Sequence, residues 1–369
     1  MKTIVLLFGG RSGEHEVSLI SAASILRNLD RTAYKPILVG ISKTGEWFLQ
    51  EDGPEITRDP PEMGGLEIDT CGRRVYVSPG AGLLVDNPKG GVDELPCDVV
   101  FPVLHGTFGE DGSVQGLLEC ACLPYVGAGI LGSAVGMDKH VTKELLLANG
   151  LPVVDSILVR SREMDSSQFI HSLARRVEGR FGWPCFVKPA CSGSSVGTSK
   201  VGDVEALASA LEKAFLFDEK VLVEEYIQAR EIECAVLGNE EPRAFSPGEI
   251  IPSHEFYDYE AKYKDPNGAT LRVPAPLSPE QTEAFRDLAV KAYKILSLEG
   301  MARVDFFLER RTGKMFLNEV NTIPGFTPIS MYPMLCKEGG IPYPELIDAL
   351  IDLALERFDR RSGITYSYE

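Results

Sequence analysis

The segment that most constrains the fold of this chain lies near its C-terminal end. The stretch Ala302–Leu308 alternates and is rich in Val and Phe, Arg311–Gly313 can form a turn, and Met315–Val320 can return as a second strand. Alternation of this kind is typical of strands, because successive side chains of a strand point to opposite faces of its sheet. The sequence therefore predicts an antiparallel hairpin at this position.

Three polar side chains of this hairpin can meet at one point. Glu319 and Asn321 share a face of the second strand, and Asp305 can reach them from the first. Two carboxylates and an amide oxygen are hard ligands, which suit Mg²⁺ bound to the phosphates of a nucleotide. The loop that follows brings the backbone amide of Gly325 near this point, and Arg303 lies two residues before Asp305. The alternative is a half-buried hairpin whose acids face water.

The start of the chain predicts a different kind of sheet. Ile4–Phe8 and Ile37–Ile41 are short apolar stretches, and Val17–Leu29 between them has apolar residues at helical spacing. A strand–helix–strand unit implies a parallel sheet, so the predicted fold class is α/β. Downstream we predict strands at Val75–Val77, Val99–Leu104, Pro184–Pro189, Val221–Ile227 and Ile232–Leu237, and helices at Ser113–Cys122, Asp138–Gly150, Ser166–Phe181, Asp203–Phe217, Ser278–Leu296 and Pro344–Arg360.

Composition argues against several classes of partner. The chain has 369 residues, enough for two or three packed units at roughly 150 residues each, and its formal net charge is −17. Such an acidic chain lacks the cationic footprint on which nucleic-acid binding depends. No apolar stretch approaches the roughly 20 residues that span a bilayer, and the cysteines form no CxxC pair. We expect a cytoplasmic protein with neither nucleic acid nor membrane as a partner.

A lysine followed by a loop of small residues suggests a phosphate site. Lys188 lies near the end of a predicted strand, and a loop of Ser and Gly runs from Ser192 to Gly197. Such a loop can donate successive backbone N–H groups to an anion while the lysine supplies charge. No GxxxxGK[ST] motif is present, so this is not a Walker loop. Lys139, beside Asp138 at a helix start, is a weaker candidate for the same role.

Acids at the ends of elements could bind the rest of a nucleotide and a substrate amine. Glu224 and Glu225 end a strand, where a carboxylate could accept from an adenine amino group, and Glu231 could hold ribose hydroxyls. Glu16 begins the first helix, where the helix dipole stabilises a carboxylate, and it could hold a substrate ammonium. Solvated surface acids and an ordinary first-turn acid are the alternative interpretations.

Two further segments lead to different conclusions. Glu255–Pro276 is polar but rich in tyrosine, so it could close over a site and exclude water, although it could equally be a plain exposed loop. Gly127–Gly132 matches GxGxxG, the dinucleotide-binding pattern, but no acidic residue follows at a strand end about twenty positions later. We interpret this second motif as a tight turn into a helix.

Considered jointly, these stretches resemble one family. The chain is similar to the D-alanine–D-alanine ligases of the ATP-grasp superfamily. The resemblance runs in the family's order from Gly9 to Pro333, through GGRSGEHEVSL, LHGTFGEDGSVQG, MDKHVTK, FVKPACSGSSVGTSKV, LVEEYI with a later Glu, YDYEAKY, ARVDFF and NEVNTIPGFTPISMYP.

The resemblance implies an ATP-grasp fold of three α/β domains. Residues 1–137 would form an N-terminal, Rossmann-like parallel-sheet domain that binds substrate. Residues 138–230 would form the central ATP-grasp subdomain, and residues 231–369 the C-terminal subdomain with the metal and catalytic site. ATP would lie between the central and C-terminal subdomains.

The resemblance also implies a role for each matching residue. The nucleotide contacts would be Lys139, Lys188, Ser192, Gly193, Ser195, Glu224, Glu225, Ile227, Glu231 and Lys262. The metal ligands would be Asp305, Glu319 and Asn321, which would hold two Mg²⁺ ions, with Mn²⁺ as an alternative. The substrate and catalytic groups would be Glu16, Ser194 and Tyr263 at the first D-alanine and the closed loop, Arg303 and Gly325 at the oxyanion, Ser330 and Met331 at the second D-alanine, and His105 near both.

The implied activity is ATP-dependent ligation of two D-alanines to D-alanyl-D-alanine through a D-alanyl phosphate, for peptidoglycan precursor synthesis. A sister ligase that takes D-lactate or D-serine second is the main rival hypothesis, and Tyr263 favours D-alanine. A nucleotide-binding regulator without turnover and a dehydrogenase are two more hypotheses, from different functional classes. Family members are commonly dimers, so a homodimer is expected.

The chain departs from the family pattern in three places. Ser192 stands where some members carry an acid, and Glu225 stands where some carry a lysine near adenine. Both departures could change the ATP contacts without touching the chemistry. Asp52–Glu94 is an insertion relative to the shorter members.

Overall fold

The computed structural model of the chain describes residues 1–51, 64–164, 167–252 and 268–365. Strands in these ranges form four sheets, and no helix in them is both long and apolar enough to cross a membrane. The strands are β1 (Lys2–Gly9), β2 (Tyr34–Ile41), β3 (Trp47–Gln50), β4 (Val75–Ser78), β5 (Gly82–Asp86), β6 (Val92–Leu95), β7 (Val99–Val103), β8 (Ser156–Arg160), β9 (Cys185–Pro189), β10 (Ser199–Val201), β11 (Lys220–Glu225), β12 (Ala229–Leu237), β13 (Arg243–Ala244), β14 (Gly248–Pro252), β15 (Ala269–Arg272), β16 (Met301–Glu309) and β17 (Met315–Asn321). The helices are α1 (His15–Asn28), α2 (Ser113–Cys120), α3 (Ile130–Met137), α4 (Lys139–Ala148), α5 (Ser167–Arg180), α6 (Val204–Ala214), α7 (Pro279–Ile295), α8 (Met331–Glu338) and α9 (Tyr343–Ser362).

The N-terminal sheet has the parallel centre that the sequence predicts. Its strand order is β3-β2-β1-β7, with β1 parallel to both β2 and β7 and β3 antiparallel at one edge. The side chains from Ile4 to Phe8 are all buried, because a parallel sheet is covered on both faces. Helix α1 packs on β1, so the loop between them lies at the carboxyl end of that strand.

A small antiparallel sheet of order β4-β5-β6 follows, where the sequence predicts only Val75–Val77 as a strand. The other two strands are short and bounded by Gly82, Gly90 and Gly91, so they carry little periodic signal. Leu83 nevertheless joins the core that covers one face of the N-terminal sheet.

The central sheet is antiparallel, with order β10-β9-β11-β8. Helix α6 packs on β9 and β10, and α5 packs on α6. The buried core of this unit draws only on residues between Ile157 and Val223 among those described. The central sheet therefore packs largely on itself.

The C-terminal sheet contains the predicted hairpin. Its order is β15-β14-β12-β16-β17, with β13 also paired to β12, and all these pairs are antiparallel. The register of β16 and β17 places Asp305 opposite Glu319 and Arg303 opposite Asn321, and a bulge follows Asp305. Helix α7 packs on β12 and β16, and it begins, as the sequence predicts, at Ser278, where a capping box with Gln281 forms.

The last helix, α9, returns to the start of the chain. It contacts α1 and β7, and one buried core joins Leu6 of the N-terminal sheet to Leu350 of this helix. Arg357, 3% exposed, donates to the backbone carbonyls of Tyr125 and Gly127. The N-terminal and C-terminal sheets are therefore joined by shared apolar packing. The predicted domain borders after residues 137 and 230 stay predictions; the first falls between α3 and α4 and the second inside β12.

The glycine motif at Gly127–Gly132 is a turn into α3, as we interpret it. Gly127 has a φ of +98°, a conformation that favours glycine. A Cβ on Gly132 would lie 2.6 Å from the carbonyl oxygen of Ser297. Backbone conformation therefore explains Gly127, and close packing explains Gly132.

Candidate active site

A cavity of about 740 Å³ lies between the central and C-terminal sheets and reaches the N-terminal loops. Tyr263 and Lys262 lie outside the described residues. Every described residue predicted for the site, except Glu16, lines this cavity. They are Lys139, Lys188, Ser192, Gly193, Ser194, Ser195, Glu224, Glu225 and Ile227 on the central side, Glu231, Arg303, Asp305, Glu319, Asn321, Gly325, Ser330 and Met331 on the C-terminal side, and His105 from the N-terminal part.

The hairpin brings the three predicted metal ligands together. Asp305 and Glu319 are direct cross-strand partners, and Asn321 Nδ2 donates to Asp305 Oδ2 at 2.9 Å. Among the described residues no group of three or more His, Cys, Asp or Glu side chains could hold a metal, so the third ligand would be the Asn321 amide. A 180° rotation of the Asn321 amide about its Cβ–Cγ bond would direct the oxygen instead of the nitrogen toward the metal position. The set then consists of hard oxygen donors, which fit a cation such as Mg²⁺.

Arg303 lies between the acids of this sheet. Its guanidinium donates to both oxygens of Asp305, at 2.8 and 2.7 Å, and its Nε lies 3.0 Å from Glu233 Oε2. Glu233 is opposite Asp305 on β12 and is buried. Burial opposes the charge, but Asp305 and Glu233 raise the pKa of Arg303 well above its usual value. Because it is paired with two carboxylates, the guanidinium of Arg303 keeps a fixed orientation and stays charged.

A second buried cluster lies between helix α4 and the central sheet. Lys143 Nζ lies 3.0 Å from Glu224 Oε1, and Lys188 Nζ forms an ion pair with Oε2. Burial alone would raise the pKa of Glu224, but the two lysines hold it below its usual value. The carboxylate thus orients Lys188, which also donates to Asn318 Oδ1 at 3.3 Å. The expected contact of Glu224 with an adenine amino group stays a prediction.

Lys139 connects the serine loop to the hairpin. Its Nζ donates to the carbonyl of Ser192 at 2.7 Å and lies 3.3 Å from Glu319 Oε2. Burial lowers the pKa of Lys139, but Glu319 outweighs that effect and the pKa is raised, so the amine stays charged. Ser194 and Ser195 have φ values of +47° and +59°, which bend the loop tightly. A tightly bent loop beside a buried lysine is the kind of site that binds an anion.

The structure places one predicted residue, Glu16, away from the cavity. Glu16 lies in the first turn of α1 and pairs with Lys43 at 2.7 Å, and both side chains are exposed. Glu14, two residues earlier, is 8% exposed, lines the cavity and accepts a hydrogen bond from Ser194 Oγ. Positions two apart at a helix start point in nearly opposite directions, so only one of the two acids faces the cleft. A Cβ on Gly106 would lie 2.7 Å from Glu14 Oε2, so a glycine there leaves room for the carboxylate.

The candidates for the oxyanion and the second substrate share the loop after β17. A Cβ on Gly325 would lie 2.7 Å from Ser330 Oγ, which itself accepts from the N–H of Thr327 at 3.0 Å. Met331 begins α8 and is 3% exposed. The close approach of Gly325 and Ser330 brings a backbone amide and a hydroxyl to the same end of the cavity.

Comparison with known proteins relates these features to one family. The family model described as D-ala D-ala ligase C-terminus matches residues 145–352, and the one described as D-ala D-ala ligase N-terminus matches residues 3–128. The chain belongs to the D-alanine–D-alanine ligase family. A D-alanine–D-alanine ligase from Treponema denticola is 48% identical over 357 residues, which is 96% of each chain. One from Thermoanaerobacter pseudethanolicus is 50% identical over 361 residues, which is 98% of each chain.

Solved structures of this ligase family have the same fold. The D-alanine-D-alanine ligase from Coxiella burnetii matches with a TM-score of 0.83 at 37% identity, covering 98% of this chain and 96% of that one. The VanG D-Ala:D-Ser ligase from Enterococcus faecalis matches with a TM-score of 0.81 at 34% identity, covering 96% of this chain and 99% of that one. These matches confirm the predicted α/β ATP-grasp class.

Several residues of the ligase site were not predicted individually. Glu14, Lys143 and Glu110 stand within motifs that carry the family resemblance, so those motifs were the available signal. Glu233 has no such signal, because it is singled out only by its pairing across β12 and β16. His105 lines the cavity as predicted, but both of its ring nitrogens contact protein groups.

Proposed function

We propose that this member of the ligase family catalyses the ATP-dependent ligation of two D-alanines to D-alanyl-D-alanine, for peptidoglycan precursor synthesis. The observation that carries the proposal is the convergence of Asp305, Glu319 and Asn321 beside Lys139 and Arg303 in one cavity. Identity near 50% to D-alanine–D-alanine ligases over almost the whole chain supports the same activity.

The first step is transfer of a phosphoryl group. A carboxylate is a poor electrophile, so the carboxylate of the first D-alanine attacks the γ-phosphorus of ATP, ADP leaves, and D-alanyl phosphate forms. Such transfers depend mostly on positioning and on charge neutralisation. Lys139, Lys188 and the backbone amides of the serine loop 192–195 would hold the phosphates.

The residues that would hold the metal are Asp305, Glu319 and Asn321. Two Mg²⁺ ions, or Mn²⁺ in their place, would neutralise the phosphate oxygens when bound there. Before a metal binds, Arg303 compensates the charge of Asp305, and Lys139 compensates the charge of Glu319. Arg303 and Lys139 are therefore close to where the transferred phosphoryl group would lie.

The ammonium of the first D-alanine would bind to Glu14, in the role predicted for Glu16. The hydrogen bond from Ser194 Oγ fixes this carboxylate against the serine loop. One loop would then contact the phosphates and the acid that orients the substrate. This coupling would bring the D-alanine carboxylate close to the γ-phosphate.

The second step forms the peptide bond. The second D-alanine attacks as a free amine, its nitrogen bonds to the acyl carbon, and inorganic phosphate leaves after a tetrahedral intermediate with an oxyanion. Arg303 and the N–H of Gly325 would stabilise that oxyanion, and loss of one such donor costs about 3–4 kcal/mol in other enzymes. Ser330 and Met331 would line the pocket of the second D-alanine. Water must be excluded, because it would hydrolyse the acyl phosphate.

One experiment tests both the activity and the identity of the second substrate. The neighbour named as a D-Ala:D-Ser ligase is 34% identical, whereas the D-alanine–D-alanine ligases reach 50%, so we favour D-alanine as the second substrate. Purified protein is supplied with ATP, Mg²⁺ and D-alanine, alone or with D-lactate or D-serine. Phosphate release gives the rate, and mass spectrometry identifies the product. We expect D-alanyl-D-alanine as the main product; a mixed product formed as fast or faster would contradict this.

A regulator and a dehydrogenase have less support than a ligase. A regulator without turnover would be expected to lack metal ligands or the oxyanion arginine, yet Asp305, Glu319, Asn321 and Arg303 all line the cavity. A dehydrogenase is suggested only by Gly127–Gly132, where the positive φ of Gly127 and the close packing of Gly132 give those two glycines a structural reason. A titration that detects no NADH binding would eliminate it.

We also propose that the ligase is a cytoplasmic homodimer. Leu117 on α2 and Ile130 and Leu131 on α3 are 49%, 42% and 63% exposed, and the two helices contact each other. Burial of these side chains against a second copy would remove apolar surface from water. Analytical ultracentrifugation of the purified chain would measure the mass of the assembly.

A further inference from the structure

The loop after β17 is held at Ile323 by two side chains from the N-terminal part of the chain. The N–H of Ile323 donates to Glu110 Oε1 at 2.8 Å, and its carbonyl accepts from His105 Nδ1 at 3.0 Å. Glu110 Oε2 accepts from the N–H of Gly106 at 2.8 Å, which fixes the carboxylate to its own loop. Glu110 and His105 are 8% and 5% exposed, so water competes little for these hydrogen bonds.

A second point of contact settles the hydrogen positions. His105 Nε2 lies 3.0 Å from Ser21 Oγ, and the N–H of Phe326 donates to the same Oγ at 3.3 Å. The carbonyl of Ile323 can only accept, so His105 Nδ1 carries the hydrogen and Nε2 accepts from the Ser21 hydroxyl. Burial lowers the pKa of His105, which favours this neutral ring. Donors and acceptors therefore match at every step.

The held residues flank a group with a proposed catalytic role. Ile323 lies two residues after Asn321 and two before Gly325, and Phe326 follows Gly325 directly. The carbonyl of Phe326 also accepts from the Tyr343 hydroxyl at 2.6 Å. With both ends of this short stretch fixed, the Gly325 amide has little freedom to turn. A displacement of about 1 Å at a reacting group can cost on the order of 100-fold in rate.

We propose that Ser21, His105 and Glu110 are positioning residues that clamp the backbone of this loop. They hold the Asn321 ligand and the Gly325 amide in place relative to the N-terminal wall that carries Glu14. The inference rests on the proposed function, because that function gives Asn321 and Gly325 their roles. The three side chains act through the loop, and His105, with both ring nitrogens engaged, is not assigned a proton transfer.

The first test removes the Glu110 carboxylate, which accepts from the N–H of Ile323. We expect Glu110→Ala to lower kcat about 100-fold, with KM for ATP changed less than about threefold, because the loop is displaced while the nucleotide contacts remain. Glu110→Gln should lose less, since its amide oxygen can still accept from Ile323. The matched control is Glu119→Gln, a partly buried glutamate outside the cavity that accepts from Tyr125 and Arg361; it should keep its kcat. A kcat for Glu110→Ala within threefold of the wild-type value would overturn the proposal.

The second test uses two variants of His105. Asn places an amide N–H near the position of Nδ1, whereas Gln places it near Nε2. We therefore expect His105→Asn to keep kcat within tenfold of wild type and His105→Gln to lose about 100-fold. Equal large losses in the two variants would indicate proton transfer by the ring and would overturn the clamp.

A third measurement does not depend on turnover. Hydrogen–deuterium exchange of the segment 321–327 should become at least about tenfold faster in Glu110→Ala, while exchange in β1 stays unchanged. Unchanged exchange in the segment, or faster exchange without loss of kcat, would contradict positioning. If Glu110→Ala fails to fold, exchange in His105→Gln, compared with His105→Asn as the conservative variant, gives the same comparison. A wild-type protein that forms no dipeptide would instead contradict the proposed function, and the exchange result would still report on the contacts.

Discussion

The two walls of the cleft carry their buried charges in opposite proportion. On one wall, which is formed by the central sheet and α4 and is called the lysine wall below, two lysines share one carboxylate, that of Glu224. On the other wall, which is formed by β12 and the hairpin of β16 and β17 and is called the carboxylate wall below, the guanidinium of Arg303 pairs with two carboxylates, Asp305 and Glu233. Among the described residues, the first wall has a surplus of cations and the second a surplus of anions.

The difference shows how a cleft can select a metal–nucleotide complex with ordinary ion pairs. A buried charge is costly unless it is paired, so each surplus is satisfied when a ligand of opposite sign arrives. Phosphates suit the lysine wall, and a divalent cation suits the carboxylate wall. A nucleotide with bound Mg²⁺ has both the phosphates and the cation, so it can contact both walls at once.

The largest expected effect comes from the carboxylate wall. Asp305→Ala removes a proposed ligand and leaves Arg303 with fewer partners, so we expect kcat to fall at least about 1000-fold, the equivalent of several kcal/mol of lost charge stabilisation. The Mg²⁺ concentration needed for half-maximal rate should also rise. ADP release measured over a series of Mg²⁺ concentrations gives both quantities. Asp359→Asn, on the exposed side of α9, is the control. Activity within tenfold of wild type would show that the metal does not bind at this wall.

The lysine wall should respond differently. Lys143→Met leaves Glu224 with Lys188 alone, and we expect the free energy of unfolding to fall by about 3 kcal/mol, because one partner of a buried pair is lost. KM for ATP should rise about tenfold without a change in the Mg²⁺ requirement. Urea denaturation and steady-state kinetics measure these effects. The double variant Lys143→Met, Glu224→Gln should recover part of the lost stability; if it is additive instead, the two side chains are not coupled.

A smaller effect separates two buried glutamates. Glu110 accepts from backbone N–H groups rather than from lysines. Burial, with the nearby Glu14 carboxylate, raises the pKa of Glu110 to about 7, although these hydrogen bonds and Arg303 lower it. The folded protein then keeps a proton that the unfolded chain loses near pH 4.5, so stability falls as the pH rises from about 4.5 to about 7.

The measurement compares Glu110→Gln with the wild type at the two ends of this range. Relative to wild type, the variant should gain on the order of 2 kcal/mol between pH 4.5 and pH 7. Glu224→Gln should show no such gain, because the lysines hold the pKa of Glu224 below its usual value. Parallel pH profiles for the two variants would remove the contrast between a glutamate bound by amides and one bound by cations.

Local pattern was enough to predict the strongly periodic elements. The hairpin of β16 and β17, the parallel pair β1 and β2, and the start of α7 after Ser278 all follow from spacing and end residues. The strands β3, β5, β6, β8 and β14 were not predicted. They are four or five residues long, the equally unpredicted β10, β13 and β15 are two to four residues long, and the existence of such short strands depends on the neighbours with which they pair.

The same limit applies to the site. Asp305, Glu319 and Asn321 were predictable because residues of paired strands meet in a regular register. The sequence predicts Glu16 for the substrate ammonium although Glu14 faces the cavity, because the pattern does not show which of two acids beside a helix start faces inward. The contact between Glu110 and Ile323 joins residues 213 positions apart, so no local pattern could reveal it.

The packing of the last helix has a consequence for how substrates enter. Because the first and last parts of the chain share one core while the middle unit has a core of its own, we expect the outer parts to act as a fixed frame against which the middle unit moves when a nucleotide enters or leaves. A cross-link between the two outer parts should leave turnover intact. One that fastens the middle unit to the frame should trap whatever nucleotide is inside and keep the next one out.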